Sequence, residues 1–397
     1  MSTSSGETAP LLFLIAGEPS GDGLGGRLMA ALKVLCRGHV HFAGIGGSRM
    51  SEQGLSSLFP MSELSVMGLA EVLPHLPRLS RRLGQTVAEI GRRRPAAVIT
   101  IDSPGFNFRV AKRLKGAGIP LIHYVAPSVW AWRPGRAREV AGFLDHLLAL
   151  LPFEPPYFEA EGLSCTFVGH PVVESGADRG DGGAFRRHHG ITADDPVICV
   201  LPGSRRGETA RLLPVFGATL GLLKRARPRL RAVVPTVAGV AGDVSRAARK
   251  WPVPALVVDG ESEKFDGFAA SNAALAASGT VALELALARV PAVIAYRVNP
   301  LTAWLVRRLI RVPYANLVNI VLERQVVPEF IQGDCRPQLL APAVEGLLGD
   351  GGAAQTEAAA EALRRIGHGG PSPSERAARA VLDAVSRSPQ NHRAQTQ

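Results

Sequence analysis

Asp102 directly follows an apolar run, Ala97–Ile101, and precedes a turn, Ser103-Pro104-Gly105, with Asn107 just beyond. A carboxylate at the end of a buried strand, aimed into a cleft, is placed to serve as a general base. The alternative is a cap on the helix that opens near Asn107. Earlier in the chain, Gly17-Glu18-Pro19-Ser20-Gly21-Asp22-Gly23 gathers Glu18, Ser20 and Asp22 at a glycine-rich turn. Such a turn lets backbone approach a sugar or phosphate, with the carboxylates as polar contacts. It reads equally as a tight strand-to-helix connection with solvated carboxylates. Gly21, Gly23 and Gly26 also match the spelling of the dinucleotide fingerprint. That motif needs an acidic residue closing the second strand to hold a ribose. Here the second strand ends in Ala43-Gly44-Ile45-Gly46-Gly47, so a dehydrogenase is disfavoured.

A second group lies in the other half. Leu201-Pro202-Gly203-Ser204-Arg205-Arg206-Gly207-Glu208 ends an apolar run and opens a helix, setting backbone N–H groups, a hydroxyl and arginines where an anion would bind. Ala277-Ser278-Gly279-Thr280-Val281-Ala282-Leu283-Glu284 repeats the design, with Glu284 one turn along and able to accept ribose hydroxyls. Two anion sites in one half suggest a nucleoside diphosphate. A Walker lysine is missing, so the loops are not a P-loop. Between the groups, His123 to Arg133 holds Trp130, Trp132, a histidine and an arginine, suited to stacking on a sugar or to core packing.

The elements that must position these residues alternate along the chain. Apolar runs at Leu11–Ala16, His39–Gly44, Ala97–Ile101, Leu121–Val125, Leu147–Leu151 and Thr166–Val168 are separated by helical stretches such as Leu24–Cys36, Leu79–Arg93 and Phe108–Lys115. The pattern resumes at Val197–Leu201, Arg231–Pro235, Ala255–Val258, Asn272–Ala277 and Ala292–Tyr296. Continuous rather than alternating apolar strands, separated by helices, predict parallel sheets covered on both faces. Ser175–Gly183, rich in Gly and Asp, reads as a linker. The expectation is an α/β chain of two doubly wound domains facing a cleft: 1–174, then 175–350, C-terminal helices over 351–387, and a tail over 388–397. Ligands of such sheets bind beyond the carboxyl ends of the strands, where the residues above lie.

Composition narrows the class. Of 397 residues, 46% are hydrophobic and 20% charged, which excludes a largely disordered chain. Lys and Arg number 45 against 34 Asp and Glu, a net charge of +11 that suits an anionic partner. Cys36, Cys165, Cys199 and Cys335 are scattered, supporting neither a disulfide framework nor a zinc cluster. No apolar run reaches the ~18–20 residues that span a bilayer, and the polar N-terminus lacks a signal peptide's pattern. Leu64–Leu83, with Met67 and Leu69 beside Arg78, Arg81 and Arg82, and Leu301–Arg311, with Trp304, Arg307, Arg308 and Arg311, read as an apolar, basic surface for an anionic membrane, or as ordinary core helices.

These blocks together resemble the lipid-A-disaccharide synthase family. The likeness runs from about Leu11 to Pro337 through Ala16-Gly17-Glu18, Ser20-Gly21-Asp22, Gly44-Ile45-Gly46-Gly47, Ile101 to Asn107, Tyr124 to Trp132, Phe167-Val168-Gly169-His170-Pro171, Leu201 to Arg205, and Ala277 to Thr280. It departs at Pro19, where a small residue is usual, and at Val318-Asn319, where Pro-Asn is usual. The resemblance implies a GT-B glycosyltransferase: two Rossmann-like domains, acceptor side first and nucleotide side second, with the last helices crossing back. It implies inverting, metal-independent transfer of 2,3-diacylglucosamine from UDP-2,3-diacylglucosamine to 2,3-diacylglucosamine 1-phosphate (lipid X), with no cofactor and no nucleic acid. The residues then divide into Asp102, Glu18 and Arg205 for catalysis; Ser204, Arg205, Ser278, Gly279, Thr280, Glu284 and Asn319 for the nucleotide; and Ser20, Asp22, Asn107, Trp130, Met67 and Leu69 on the acceptor or lipid side. A cytoplasmic protein peripherally bound to the inner membrane follows, and a homodimer is compatible with it. A UDP-sugar 2-epimerase would share the fold but would have no use for an apolar basic surface. A membrane-bound nucleotide sensor would need neither Asp102 nor Glu18.

Overall fold

The computed structural model describes residues 9–64, 76–299, 303 and 312–387. The chain divides into two compact units, one made of Met1–Pro171 with Gly370–Gln397 and the other of Val172–Gly369.

The first unit is built on a six-stranded sheet of β1 (Leu11–Ala16), β2 (His41–Ile45), β3 (Ala97–Ile101), β4 (Leu121–Tyr124), β5 (His146–Ala149) and β6 (Ser164–Phe167). Every neighbouring pair is parallel, in the order β2-β1-β3-β4-β5-β6. The reason is visible in β1: Phe13 and Ile15 enter one core, while Leu12, Leu14 and Ala16 enter another on the opposite face. A strand buried on both sides has no polar face to offer water, and helices must cover it twice. The order reverses between β1 and β3, which opens a crevice beyond their carboxyl ends.

The second unit repeats the plan with β7 (Val197–Leu201), β8 (Arg231–Thr236), β9 (Ala255–Asp259), β10 (Ala273–Ala276), β11 (Ala292–Tyr296) and β12 (Glu329–Ile331). Its parallel order is β12-β11-β10-β7-β8-β9, so the reversal falls between β7 and β10. The apolar runs foresaw all strands but β12. That strand has three residues and opens with Glu329, whose carboxylate accepts from the backbone of Ala315 and Asn316 at 2.8 and 2.9 Å.

Two expectations change. Residues 175–183 are not a loose linker. The Asp181 N–H donates to Asp266 Oδ1 at 2.7 Å, and Gly180 and Gly182 lie so close to the carbonyls of Phe265 and Ala269 that a Cβ would collide with them. Composition marked these glycines as flexible, whereas close packing on the helix Glu261–Ala269 requires them. The boundary between units lies earlier, at Pro171 and Val172. Among the C-terminal helices, Gly351–Arg365 stays with the second unit, and the chain returns to the first from Gly370. There the helix Pro373–Ser386, opened by the Ser372 hydroxyl accepting from Glu375 N at 3.2 Å, sets Ala377, Ala378 and Val381 into the core formed by Leu24, Leu28 and Leu32.

Candidate active site

In the first unit the reversal point is occupied by Asp102. It and Ser103 both have left-handed backbone, with φ of 51° and 43°. Consecutive non-glycine residues in this region are strained, and the surroundings hold them there. Asn107, fully buried at the first turn of the helix Pro104–Leu114, donates its amide to the carbonyls of Ile101 and Asp102 at 3.0 and 2.7 Å. The Asp102 N–H donates to Tyr124 O at 2.9 Å. Gly17 gives Ser103 room, since a Cβ there would lie 2.8 Å from Ser103 Oγ. With its backbone fixed, the half-exposed carboxylate accepts at Oδ2 from Ser20 Oγ at 3.1 Å. Asp102 and Ser20 therefore come together beyond β1 and β3, and Glu18 stands in the loop after β1, just before the helix Pro19–Leu35.

Other expected residues lie elsewhere. The helix starts at Pro19, so Gly21, Gly23 and Gly26 sit inside it rather than in a phosphate loop. Gly21 and Gly26 approach the carbonyls of Ile101 and Arg49, at 3.2 and 2.9 Å from where a Cβ would stand. They serve close packing. Asp22 is buried, accepting from the N–H groups of Gly47, Arg49 and Met50 at 2.7, 3.0 and 3.1 Å. It fastens a neighbouring helix start, and its carboxylate faces the interior. His123, in the stretch read as suited to a sugar or to core packing, is buried beside Thr100 Oγ1, and burial pushes its pKa down to about 3. It is a neutral core histidine. Trp130 donates its indole N–H to Glu154 at 3.1 Å. Glu154, itself buried, also accepts from Leu150 and Leu151 N–H, and burial raises its pKa to about 7.

In the second unit, the loops after β7 and β10 line a cavity of about 480 Å³ with Ser204, Arg205, Ser278, Gly279, Thr280 and Glu284. A volume of this order suits a small ligand. Arg205 is the last extended residue before the helix Arg206–Ala226, whose first N–H groups lack intrahelical partners. Glu284 carries a salt bridge to Lys264 at 2.7 Å, with both side chains mostly sheltered. Asn319 does not reach a ligand position with a free group. It is fully buried, donating to Val327 O and Glu329 Oε1 and accepting from the N–H groups of Val326 and Val327 at 2.7–2.8 Å. Lys264, Glu208 and Tyr296 line the same cavity and were not singled out from the sequence. Tyr296 ends β11, and its position at a strand's carboxyl end was the available signal. Lys264 comes from a helix without a recognisable motif.

Met67, Leu69, Trp304, Arg307, Arg308 and Arg311 lie outside the described residues. Of the apolar basic stretch, Leu83 is core and Leu64 packs against it, while Leu76 is 40% exposed. Arg82 is held by Glu63 through two bonds of 2.9 and 2.6 Å, so it is bound inward. Among the described residues, no helix is long and apolar enough to cross a membrane, and no group of three or more His, Cys, Asp or Glu is placed to hold a metal ion.

Comparison with known proteins places this geometry. The family model described as lipid-A-disaccharide synthetase matches residues 12–381. A lipid-A-disaccharide synthase from Rhodospirillum centenum is 63% identical, covering 95% of each chain, and one from Paramagnetospirillum magneticum is 56% identical, covering 94% of this chain and 97% of its own. Among solved structures, a putative UDP-N-acetylglucosamine 2-epimerase from Listeria monocytogenes has a TM-score of 0.64 at 13% identity, covering 95% of both chains. The glycosyltransferase of kitacinnamycin has a TM-score of 0.62 at 18% identity, covering 95% of this chain and all of its own. Such distant likenesses show the fold alone. The near relatives decide the rest: the chain belongs to the lipid-A-disaccharide synthase family and is a glycosyltransferase of GT-B fold.

Proposed function

We propose that the protein transfers 2,3-diacylglucosamine from UDP-2,3-diacylglucosamine to the primary hydroxyl of lipid X, giving the β-1,6-linked disaccharide 1-phosphate and UDP. One observation carries the assignment of roles. Each sheet gathers polar side chains beyond the two strands where its order reverses, a carboxylate in the first unit and a cation-bearing cavity in the second.

Asp102 takes the proton from the acceptor hydroxyl as that oxygen forms its bond to the anomeric carbon. The bond from that carbon to the diphosphate oxygen breaks on the opposite face, inverting the centre, and its electron pair leaves with UDP. Ser20 aims the carboxylate, and Glu18 contacts the acceptor. The leaving diphosphate is stabilised by Arg205 and by the N–H groups beside Ser204 and Gly279, preset donors for charge that develops as the bond breaks. Glu284 accepts from ribose hydroxyls, and Lys264 both holds Glu284 and adds positive charge. Asn107 and Asn319 act as positioning residues through the backbone they bind.

The purified protein incubated with UDP-2,3-diacylglucosamine and lipid X should yield equal amounts of disaccharide 1-phosphate and UDP. UDP without disaccharide, or no reaction, would overturn the reading. Acylated substrates also imply reversible attachment to an anionic membrane. The exposed first two turns of the helix Leu76–Arg93, with Leu76, Arg78 and Arg81, are the described segment best suited to it.

A further inference from the structure

Glu208 is the one acidic side chain between Gly203 and the first turn of the helix Arg206–Ala226, and it occupies an unexpected place. Its carboxylate folds back over Gly203 and accepts at Oε2 from Ser204 N at 3.2 Å. Gly203 has a φ of +102°, which favours glycine, and its missing side chain leaves the space that the carboxylate occupies. The backbone donor that Glu208 holds is one of those just assigned to the leaving diphosphate.

We propose that Glu208 gates the diphosphate site: its carboxylate occupies the phosphate position, and a nucleoside diphosphate binds only once that carboxylate turns away or is protonated. The inference rests on the assignment of UDP to this cavity. Two negative groups cannot share one N–H donor at close range without strong repulsion. The surroundings favour exchange over permanent blockade. Glu208 is half-buried, and burial raises its pKa. Its charge is felt by Tyr296, at the end of β11, together with that of Arg205 and Arg211 from its own helix region. Lys264 and Glu284 face the same cavity from their two helices, already paired with each other. When the nucleotide is absent, Glu208 satisfies the helix start in the manner of a capping glutamate. When it arrives, phosphate oxygens take over the same donor. After transfer, the returning carboxylate competes with UDP and speeds its departure.

The sign of the pH dependence follows. Ionised Glu208 opposes UDP, so wild-type affinity falls as pH rises through the titration of Glu208. Glu208→Gln retains an acceptor for Ser204 N but never carries the charge. Calorimetry with UDP and with uridine, on wild type and Glu208→Gln, at about pH 5.5 and about pH 8, tests the gate. At the higher pH the variant should bind UDP about tenfold more tightly than wild type, the effect of roughly one unit of pKa coupling. The gap should shrink at the lower pH, and uridine should bind both proteins alike. Comparing the two proteins cancels the ionisation of UDP itself. Glu208→Ala provides a second uncharged variant and should tighten UDP binding in the same direction. A carboxylate that only caps the helix would leave UDP affinity and its pH profile unchanged in Glu208→Gln, which overturns the gate. Thr280→Trp, filling the cavity from an exposed position, separates the two readings. If Thr280→Trp binds UDP as wild type does, the cavity is not the nucleotide site and the gate falls with it. If it loses UDP while Glu208→Gln shows no gain, only the gate is wrong.

Discussion

The two reversal points are the same place in two similar sheets, yet they are furnished differently. In the first unit, one carboxylate is aimed by its backbone: left-handed Asp102 and Ser103, with Asn107 bonded to the carbonyls around them. In the second, several charged side chains reach into an open cavity from separate elements, braced against each other, as Lys264 is against Glu284. Proton removal depends steeply on the direction of one atom pair, so a rigid mount suits it. Holding a diphosphate depends on summed charge and donors spread over a volume, and side chains that can rearrange suit that. On the proposed assignment, a site for one proton and a site for two phosphates grow from one topology.

That contrast is open to breakage. The largest effect should come from Asp102→Asn, which keeps the shape and hydrogen bonding of the mount but removes the proposed base. Turnover should fall roughly 100-fold or more, while UDP affinity by calorimetry stays at the wild-type value. Loss of UDP binding in that variant would erase the proposed division of labour.

Next comes the Trp130 loop, braced by Glu154. With a pKa of about 7 against an ordinary 4.5, folded Glu154 retains a proton that the unfolded chain has lost. Stability from this group therefore declines as pH rises from about 4.5 to about 7 and is level above that range. Glu154→Gln should remove up to about 3 kcal/mol of that decline, measured by denaturant unfolding at about pH 5 and about pH 8. Equal slopes in variant and wild type would mean that Glu154 is ionised when folded.

A smaller change should sharpen the second site. Arg205→Ala should weaken UDP about tenfold, the worth of a charge-assisted contact, and leave uridine binding intact. Glu284→Ala should weaken both ligands, since its proposed partner is the ribose. A last effect concerns membranes. Arg78→Glu with Arg81→Glu should lower the fraction sedimenting with anionic vesicles, each basic residue being worth about 1 kcal/mol. An unchanged bound fraction would remove these turns from the membrane contact.

The sequence carried the sheets well because buried parallel strands are continuous apolar runs. β1, β3, β7 and β11 end where their runs end. The runs also located both reversal-point loops, and with them Asp102, Arg205 and Glu284. What it concealed was depth. Asp22, Asn107 and Asn319 are polar and adjacent to functional loops, features shared by ligand-binding and bracing residues. Only the fold decides which carbonyls and N–H groups they meet. The glycines of the first helix misled for a related reason: a bare backbone permits approach by a phosphate or by another element, and here it is Ile101 and Arg49 that approach. Lys264 was hidden because its role depends on a partner twenty residues away in sequence.

The return of the helix Pro373–Ser386 to the first unit bears on the order in which the protein can mature during synthesis. Leu24, Leu28 and Leu32 form a core with Ala377, Ala378 and Val381, which follow the whole second unit in the chain. Throughout translation of Val172–Gly369, which has its own sheet and core, the first unit waits with one apolar flank uncovered. The second unit can complete its fold on the ribosome, whereas the first can do so only after the helix Pro373–Ser386 emerges. A chain cut short before Pro373 would thus hold a finished second unit and a first unit with a sticky, uncovered flank.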